Sequence, residues 1–530
     1  MKRIFRVLAI LILTQVSPCR ATVEAQNNRG KTIVESKQQE QKDRPRQPEG
    51  TRSVIASSLP NILLILADDL AWSDLGCYGH PWHDTPNLDG LASSGMRFTN
   101  AYSPAPICSA SRASLLTGKT TARLGFEFVT KNEAGFQSID QATPLRAPAY
   151  QLNLELRHDT IAEHLNPLGY RSEFAGKWHL NAHHGGYLGW SPTYGPQQQG
   201  FHQAIEDFGS HPYSWKKQKP PTLQKEGSFA EDSLIKKISH ALANRRHDEP
   251  NFYMASLYHV HTPVKTTCDW LIDKYQERIP AETPARERRV RYAAFVETLD
   301  HHVGQLLKSI RTDKNSRHRE TLVLFTSDNG GHPEYTANAP FRGSKWNLYE
   351  GGIRVPLLAS WPGTISPNST THRPVVGYDI LPTLIDLCSL ATDETESTEN
   401  LDGVSFADTL LSIDRNDLQK SQLATQESTR DIFWHFPYYH PETGYAAAIE
   451  EIGVDDFKVS KTHPHSAIRR GNYKLIWFPE TDSTELYDVK KDPAESKNLN
   501  TTFPQKTDSL KQSLLDYLHR VNARFPLKSR

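Results

Sequence analysis

Four oxygen-bearing side chains stand in two pairs, Asp68-Asp69 and Asp328-Asn329. Each pair ends an apolar run: Ile62 to Ala67 in NILLILADDL, and Leu322 to Thr326 in TLVLFTSDNGG. An apolar run that stops abruptly at acids reads as a strand buried on both faces, and open α/β sheets gather their ligands at the carboxyl ends of such strands. Brought together there, the two pairs form an all-oxygen set suited to a hard cation. Calcium fits best because it tolerates irregular oxygen shells, and magnesium comes second. Either pair alone would serve equally well as a helix cap. Two pairs, each behind a buried strand, favour the metal.

Cationic side chains follow other apolar runs. GKWHL places Lys177 and His179 after EFAG, YHVHTP places His259 and His261 after FYMASL, and RGSKWNLYEGGIRVP holds Lys345 in a glycine-flanked loop. One lysine or histidine in a loop is ordinarily just solvated. Several beside a metal make a pocket for a small tetrahedral anion. Cys108 opens CSASRASLLTGK, ahead of small residues, Arg112 and a helix-forming stretch. A group there sits at a helix N-terminus, where the dipole favours an anion.

Taken together, these segments resemble the type I sulfatases. The family signature is Cys, any residue, Pro or Ala, any residue, Arg, a spacer, then Leu-Thr-Gly. Cys108, Ala110, Arg112, Leu116, Thr117 and Gly118 fill it, with Ala110 where many relatives carry proline. The resemblance runs from about residue 60 to 500 and includes TPNLDGLASSGMRFTNAYS and ELYDVKKDPAESKNL. It implies an alkaline-phosphatase-like fold and a maturation enzyme that oxidises Cys108 to formylglycine. The hydrated aldehyde carries two hydroxyls: one attacks sulfur and expels the alcohol, and the other re-forms the aldehyde and releases sulfate. By the same resemblance, Asp68, Asp69, Asp328, Asn329 and the converted Cys108 hold one calcium ion, and Asp328 also takes the nucleophile's proton. Arg112 and Lys177 steady the hydrate, and His179 is the base of the elimination. Lys345 binds a sulfate oxygen. His261, rather than His259, assists the leaving oxygen.

A phosphomonoester or phosphonate hydrolase of the same superfamily is the alternative. Those relatives often use two zinc ions with histidine ligands, or a Ser/Thr nucleophile, and the cysteine signature argues against them. An inactive carbohydrate-binding relative is a third reading, but every expected polar position is filled. Aromatic and histidine-rich stretches, HHGGYLGWSPTY and FWHFPYYH, suggest a sugar-binding rim and hence a sulfated poly- or oligosaccharide substrate.

Elements must position these groups. SEFAGKWHL, NFYMASLYHVH and RVPLLASWPG read as further strands. Helices alternate with them: DTIAEHLNPLGY with Asp159 as cap, AEDSLIKKISHALAN with Leu234, Ile238, Ala241 and Leu242 on one face, VRYAAFVETLDHHVGQLLKSI, and YDILPTLIDLCSL. Alternation predicts an α/β fold, a large and mostly parallel sheet sandwiched by helices. Beyond residue 424, IRRGNYKLIWF and TELYDV read as shorter strands before a helix, DSLKQSLLDYLHRV. The expected organisation is a signal peptide (1–21), a disordered linker (22–58), a catalytic domain (59–424) and a smaller C-terminal α+β subdomain (425–530).

Lys+Arg and Asp+Glu are both 61, which gives no support to nucleic-acid binding or general polyanion binding, though a local basic patch is compatible with it. RERRVR at 286–291 heads an amphipathic pattern and reads as a solvated helix face. Lys2, Arg3 and Arg6 precede a short apolar run from Val7 to Val16, a secretory signal rather than a stable membrane span, so the chain is expected to be secreted or periplasmic. Pro18 makes Cys19 a poor lipid-anchor cysteine. The remaining cysteines, Cys77, Cys108, Cys268 and Cys388, are too widely spaced for a disulfide framework.

Overall fold

The computed structural model describes residues 59–140, 142–216, 219–246, 248–311, 320–392, 400–411, 430–440 and 462–529. The expected signal peptide and linker lie outside them, as does the expected boundary near residue 424. Strands β1 (Asn61–Ala67), β2 (Met96–Phe98), β3 (Arg171–Gly176), β4 (Gln203–Ile205), β5 (Asn251–Ser256), β6 (Thr321–Ser327), β7 (Leu357–Ser360) and β8 (Ser369–Thr371) form the main sheet, in the order β8-β2-β7-β6-β1-β5-β3-β4. Within it β7 runs against its neighbours, and the other pairings are parallel. The predicted α/β class is therefore the observed one.

The doubly buried character of β1 is visible residue by residue. Ile62, Leu64 and Leu66 enter one core with Phe174, Met254 and Leu324, while Leu63, Ile65 and Ala67 enter another with Tyr253 and Phe325. Helices α1 (Pro86–Ser93), α2 (Cys108–Thr117), α3 (Ser233–Ala243), α4 (Arg286–Arg311), α5 (Ile380–Thr392) and α6 (Pro504–Arg520) supply the covering layers. Helices α2 and α5 close the first core, and α1, α3 and α4 the second. Helix α3 buries Leu234, Ile238 and Leu242 as its spacing predicts, with Asp232 capping it by accepting from the Ile235 N–H at 2.8 Å. RERRVR forms the first turns of α4, where Glu287, Arg288 and Arg291 are exposed.

One cap differs from expectation. Thr160, not Asp159, caps Ile161–Leu165: its hydroxyl accepts from the Glu163 N–H while the Glu163 carboxylate accepts from the Thr160 N–H. The reciprocal pair satisfies two otherwise orphaned donors, which a lone aspartate cannot do.

The C-terminal sheet is an antiparallel meander of β9 (Asp431–Phe436), β10 (His465–Arg470), β11 (Tyr473–Phe478) and β12 (Ser483–Asp488). One face packs Ile468, Leu475 and Leu486 on Leu510, Leu514 and Leu518 of α6. The other packs Trp434, Ala467 and Ile476 into a cluster with Tyr102, Cys108 and Ala110. The stretch FWHFPYYH is therefore mostly interior. Trp434, Phe436, Tyr438 and Tyr439 are all buried, so these rings pack rather than present faces to a sugar. Among the described residues no helix is long and apolar enough to cross a membrane, and no cysteine is disulfide-bonded.

A buried ion network ties this sheet to the chain just ahead of β7 and to the segment after β12. Lys474 Nζ lies 3.0 Å from Glu350 Oε1 and 2.9 Å from Glu495 Oε1, with all three side chains buried. Burial would raise the Glu350 carboxyl, but Lys474, Arg354 and Arg469 hold it at about 2. Breaking such a network by removing one partner costs about 3–5 kcal/mol. Lys474→Met should therefore lower the urea midpoint by that equivalent, whereas the same change at exposed Lys497 should cost less than about 0.5 kcal/mol. Equal midpoints for the two variants would show that the network adds nothing.

Candidate active site

Four strand ends converge. The β1–β6 register sets Ala67 against Ser327, so Asp68-Asp69 and Asp328-Asn329 leave the sheet side by side. Neighbouring β5 leads into His259 and His261, and β3 into Lys177 and His179, at the same edge. Lys345 arrives from a folded-back loop. The Gly330 N–H donates to Gly352 O at 2.9 Å, and a Cβ on Gly330 would fall 2.0 Å from Gly351 O, so only glycine permits this approach. Cys108 is the first residue of α2, behind an extended Ile107.

Asp328 Oδ2 accepts from Arg112 Nε at 2.8 Å, and Arg112 Nη1 donates to Lys177 O at 2.8 Å. Lys177 Nζ reaches Asp68 Oδ2 at 2.6 Å, and Lys345 Nζ reaches Asp69 Oδ2 at 2.7 Å. Asn329 Nδ2 donates to Asp69 Oδ1 at 2.8 Å. The Cys108 Sγ lies 3.4 Å from His179 Nδ1. His261 Nε2 stands 3.7 Å from Asp69 Oδ2. Its Nδ1 meets Thr262 O at 2.7 Å and the Tyr213 hydroxyl at 2.9 Å. His259 turns elsewhere. Its ring packs against Phe295, with centroids 4.5 Å apart, and against His302. Asp69 and His179 both adopt left-handed backbone, φ 61° and 56°, a conformation that costs of order 1–3 kcal/mol in a non-glycine residue.

Among the described residues, Asp68 Oδ1 and Asn329 Oδ1 are fully buried acceptors with no hydrogen-bond donor. Arg112 Nη2 approaches Asp68 Oδ1 only to 3.6 Å. Buried acceptors left this way are costly unless something fills their lone pairs, and carboxylate and amide oxygens suit a hard cation. The donor set thus fits a calcium or magnesium ion.

The charges of the pocket shift its titrating groups in opposite directions. Burial raises Asp328, with Asp68 and Asp69 adding to the rise against Arg112, and its carboxyl reaches about 6. Burial would raise Asp69 too, but Lys345, His261 and His332 hold it far below the carboxylate range. Burial, then Lys177 and Arg112, keep His179 neutral. Burial also lifts the Cys108 thiol, against Lys177 and Lys345. A neutral thiol is a weak nucleophile.

Residues 60–390 match the Sulfatase family model. This chain belongs to the sulfatase family. Residues 343–524 match the C-terminal model of N-sulphoglucosamine sulphohydrolase. Human arylsulfatase A is 30% identical over 478 residues, 83% of either chain. N-acetylgalactosamine-6-sulfatase of Canis lupus familiaris is 29% identical over 492 residues, 88% of this sulfatase and 81% of that protein. The solved structure of Ps i-CgsB with k-i-k-neocarrahexaose matches with a TM-score of 0.62 at 22% identity, over 87% of this chain and 92% of that one. BT4656 with D-glucosamine-2-N,6-O-disulfate matches at 0.57 and 20% identity, over 87% and 98%. These two likenesses are of fold.

The structure brings Cys108, Arg112, Lys177, His179, His261, Lys345 and the oxygen-bearing side chains of Asp68, Asp69, Asp328 and Asn329 together at one sheet edge. It adds Tyr213, on His261, and His332, a ring that burial and Lys345 keep neutral near Asp69. His332 lies three residues beyond Asn329 and was within reach of the SDNGG motif; Tyr213 sits in a short 3₁₀ turn with no local signature.

Proposed function

We propose that this sulfatase is a secreted or periplasmic enzyme that hydrolyses sulfate esters on poly- or oligosaccharides, using formylglycine made from Cys108 and one calcium ion. The observation that carries the reading is the pair of orphaned buried oxygens, on Asp68 and Asn329, beside a cysteine at a helix start. The signal peptide at 1–21 would deliver the chain to export. Two proteins of the same fold, solved with k-i-k-neocarrahexaose and with D-glucosamine-2-N,6-O-disulfate, support the substrate class.

Asp68, Asp69, Asp328 and Asn329, with the converted Cys108, would hold the calcium, which supplies charge to polarise a sulfate oxygen and the attacking hydroxyl. Formylglycine supplies an aldehyde hydrate as nucleophile. Everything else falls to the chain's own side chains. Lys345 would bind a sulfate oxygen, and Lys177, paired with Asp68, would steady the hydrate; such preorganised positive charge in a buried pocket is the largest expected rate contribution. Arg112, paired with Asp328, fixes the carboxylate and backs the nucleophile. Neutral His179, 3.4 Å from the Cys108 side chain, is placed to take the proton of the elimination step. Tyr213 and Thr262 fix the His261 ring so that Nε2 faces the pocket.

A phosphate ester hydrolase is the competing reading. Two measurements separate them. Protein expressed with a formylglycine-generating enzyme should show, by mass spectrometry, a Cys108 peptide whose CH2SH group has become an aldehyde CHO, two hydrogens lighter than a simple exchange of sulfur for oxygen. The same protein should turn over an aryl sulfate far faster than the matching aryl phosphate. Full activity with an unmodified Cys108 thiol, or a preference for the phosphate, would overturn the reading.

A further inference from the structure

A cleft of about 1100 Å³ lies between the main sheet and the C-terminal sheet. One wall is built from Trp72, just beyond β1, Asn100, just beyond β2, and Arg354, just before the antiparallel β7. Those positions share the sheet edge that carries Asp68 and Asp328. Phe341, four residues before Lys345, also lines it. The opposite wall comes from the β10–β11 turn, the chain after β12, and α6.

Arg354, Arg469, Arg470, Lys490 and Lys506 line this cleft, and among the described residues no Asp or Glu does. In a chain with 61 basic and 61 acidic residues, that is a strong local bias. Arg354 and Arg469 are buried and both act on the Glu350 carboxylate, and Arg470 pairs with Asp431, set outside the lining. Lys490 and Lys506 are exposed, and no carboxylate among the described residues pairs with them. Of the three aromatic rings in the lining, Phe341 is buried and Trp72 and Tyr473 are half-buried. Lys506 Nζ sits 3.4 Å from the Tyr473 ring centre, and the Arg354 guanidinium 4.5 Å from that of Phe341. Trp72 stands edge-on to Phe341 at 4.9 Å.

A cleft lined by one sign of charge concentrates the opposite sign. Exposed cations, Lys490 and Lys506, beside the half-buried Trp72 and Tyr473 rings suit a ligand whose anionic groups are spaced along sugar rings. We propose that this cleft is a second, non-catalytic binding site for a sulfated glycan chain, holding one stretch of a polymer while another reaches Cys108. The proposal rests on the sulfated-carbohydrate reading above.

The test compares wild type with the double variant Lys490→Glu/Lys506→Glu. Binding of dextran sulfate, neutral dextran and polyglutamate is measured by calorimetry, and aryl sulfate turnover is followed in parallel. Both lysines are exposed, so the fold is undisturbed. The variant should bind dextran sulfate about tenfold more weakly, with a shallower salt dependence, and should keep aryl sulfate kcat/KM within about twofold. Wild type should bind dextran and polyglutamate much more weakly than dextran sulfate. Unchanged dextran sulfate affinity in the variant, or equal affinity of wild type for polyglutamate, overturns the proposal. Aryl sulfate turnover reports on the catalytic reading alone. Its absence in wild type would sink that reading, and the dextran sulfate comparison would still decide whether the cleft binds sulfated glycan.

Discussion

Asp328→Ala is expected to yield an enzyme that binds no calcium and hydrolyses aryl sulfate at least about 10³-fold more slowly than wild type. Asp328 does three jobs at once. By the proposed mechanism it offers a carboxylate to the ion, and in the structure it pairs with Arg112 at 2.7 Å and accepts from the Asp69 N–H at 3.1 Å. Removing it from a cluster of three buried acids also relieves like-charge repulsion, which adds to burial in pushing its own carboxyl up to about 6. That relief offsets part of the cost of unpairing buried Arg112, which keeps its bonds to Lys177 O and the Ser256 hydroxyl, so the metal-free variant should fold with reduced stability. Calcium separates loss of binding from loss of structure. A ligand at one hundred times its Kd stabilises the folded state by about 2.7 kcal/mol. Wild type treated with chelator should gain melting temperature when calcium returns, and Asp328→Ala should gain none. Asp328→Asn keeps an acceptor for the Asp69 N–H while removing the charge. A parallel loss in that variant assigns the effect to charge. Full metal content and turnover in Asp328→Ala would show that this aspartate is not a ligand.

The pairs at 68–69 and 328–329 were legible because β1 and β6 are central and buried on both faces. That leaves an unbroken apolar run whose sudden end marks the sheet edge. Cys108 was legible because a thiol, a spaced arginine and a helix start rarely coincide by chance. Strand β9 was not. An aromatic run looks the same whether its rings pack or stack on sugar, and its partner β10 lies about thirty residues away. Two adjacent residues, Asp159 and Thr160, both have the chemistry of a cap, and only the reciprocal bond with Glu163 decides between them. Left-handed backbone at Asp69 and His179 is imposed by the packed pocket, and a single residue carries no periodicity to betray it. The basic cleft escaped for a related reason. Its five cations come from positions 354, 469, 470, 490 and 506, and a balanced total charge hides a cluster assembled in space.

His261→Ala should slow sugar sulfates by about 10²–10⁴ and activated aryl sulfates much less. An aryl oxide of low pKa departs without a proton; a sugar alkoxide needs one as the bond to sulfur breaks. The geometry sets a condition on this role. Nδ1 lies 2.7 Å from Thr262 O, a carbonyl that can only accept, so Nδ1 carries a proton and Nε2 is bare in the neutral ring. Burial, with Lys177 and Lys345, drives the ring toward that neutral form in the free enzyme. A bound sulfate places negative charge beside both lysines and so removes part of what keeps Nε2 unprotonated. On the proposed role, proton donation would be coupled to substrate binding. His259→Ala removes a ring packed on Phe295 and His302, so it should cost stability without changing sensitivity to the leaving group. The measurement is kcat/KM for both variants across esters of rising leaving-group pKa. A steeper fall for His261→Ala than for wild type supports the proton-donor role. Parallel lines would mean that His261 only positions the substrate, and a steep line for His259→Ala would give the role to the other histidine.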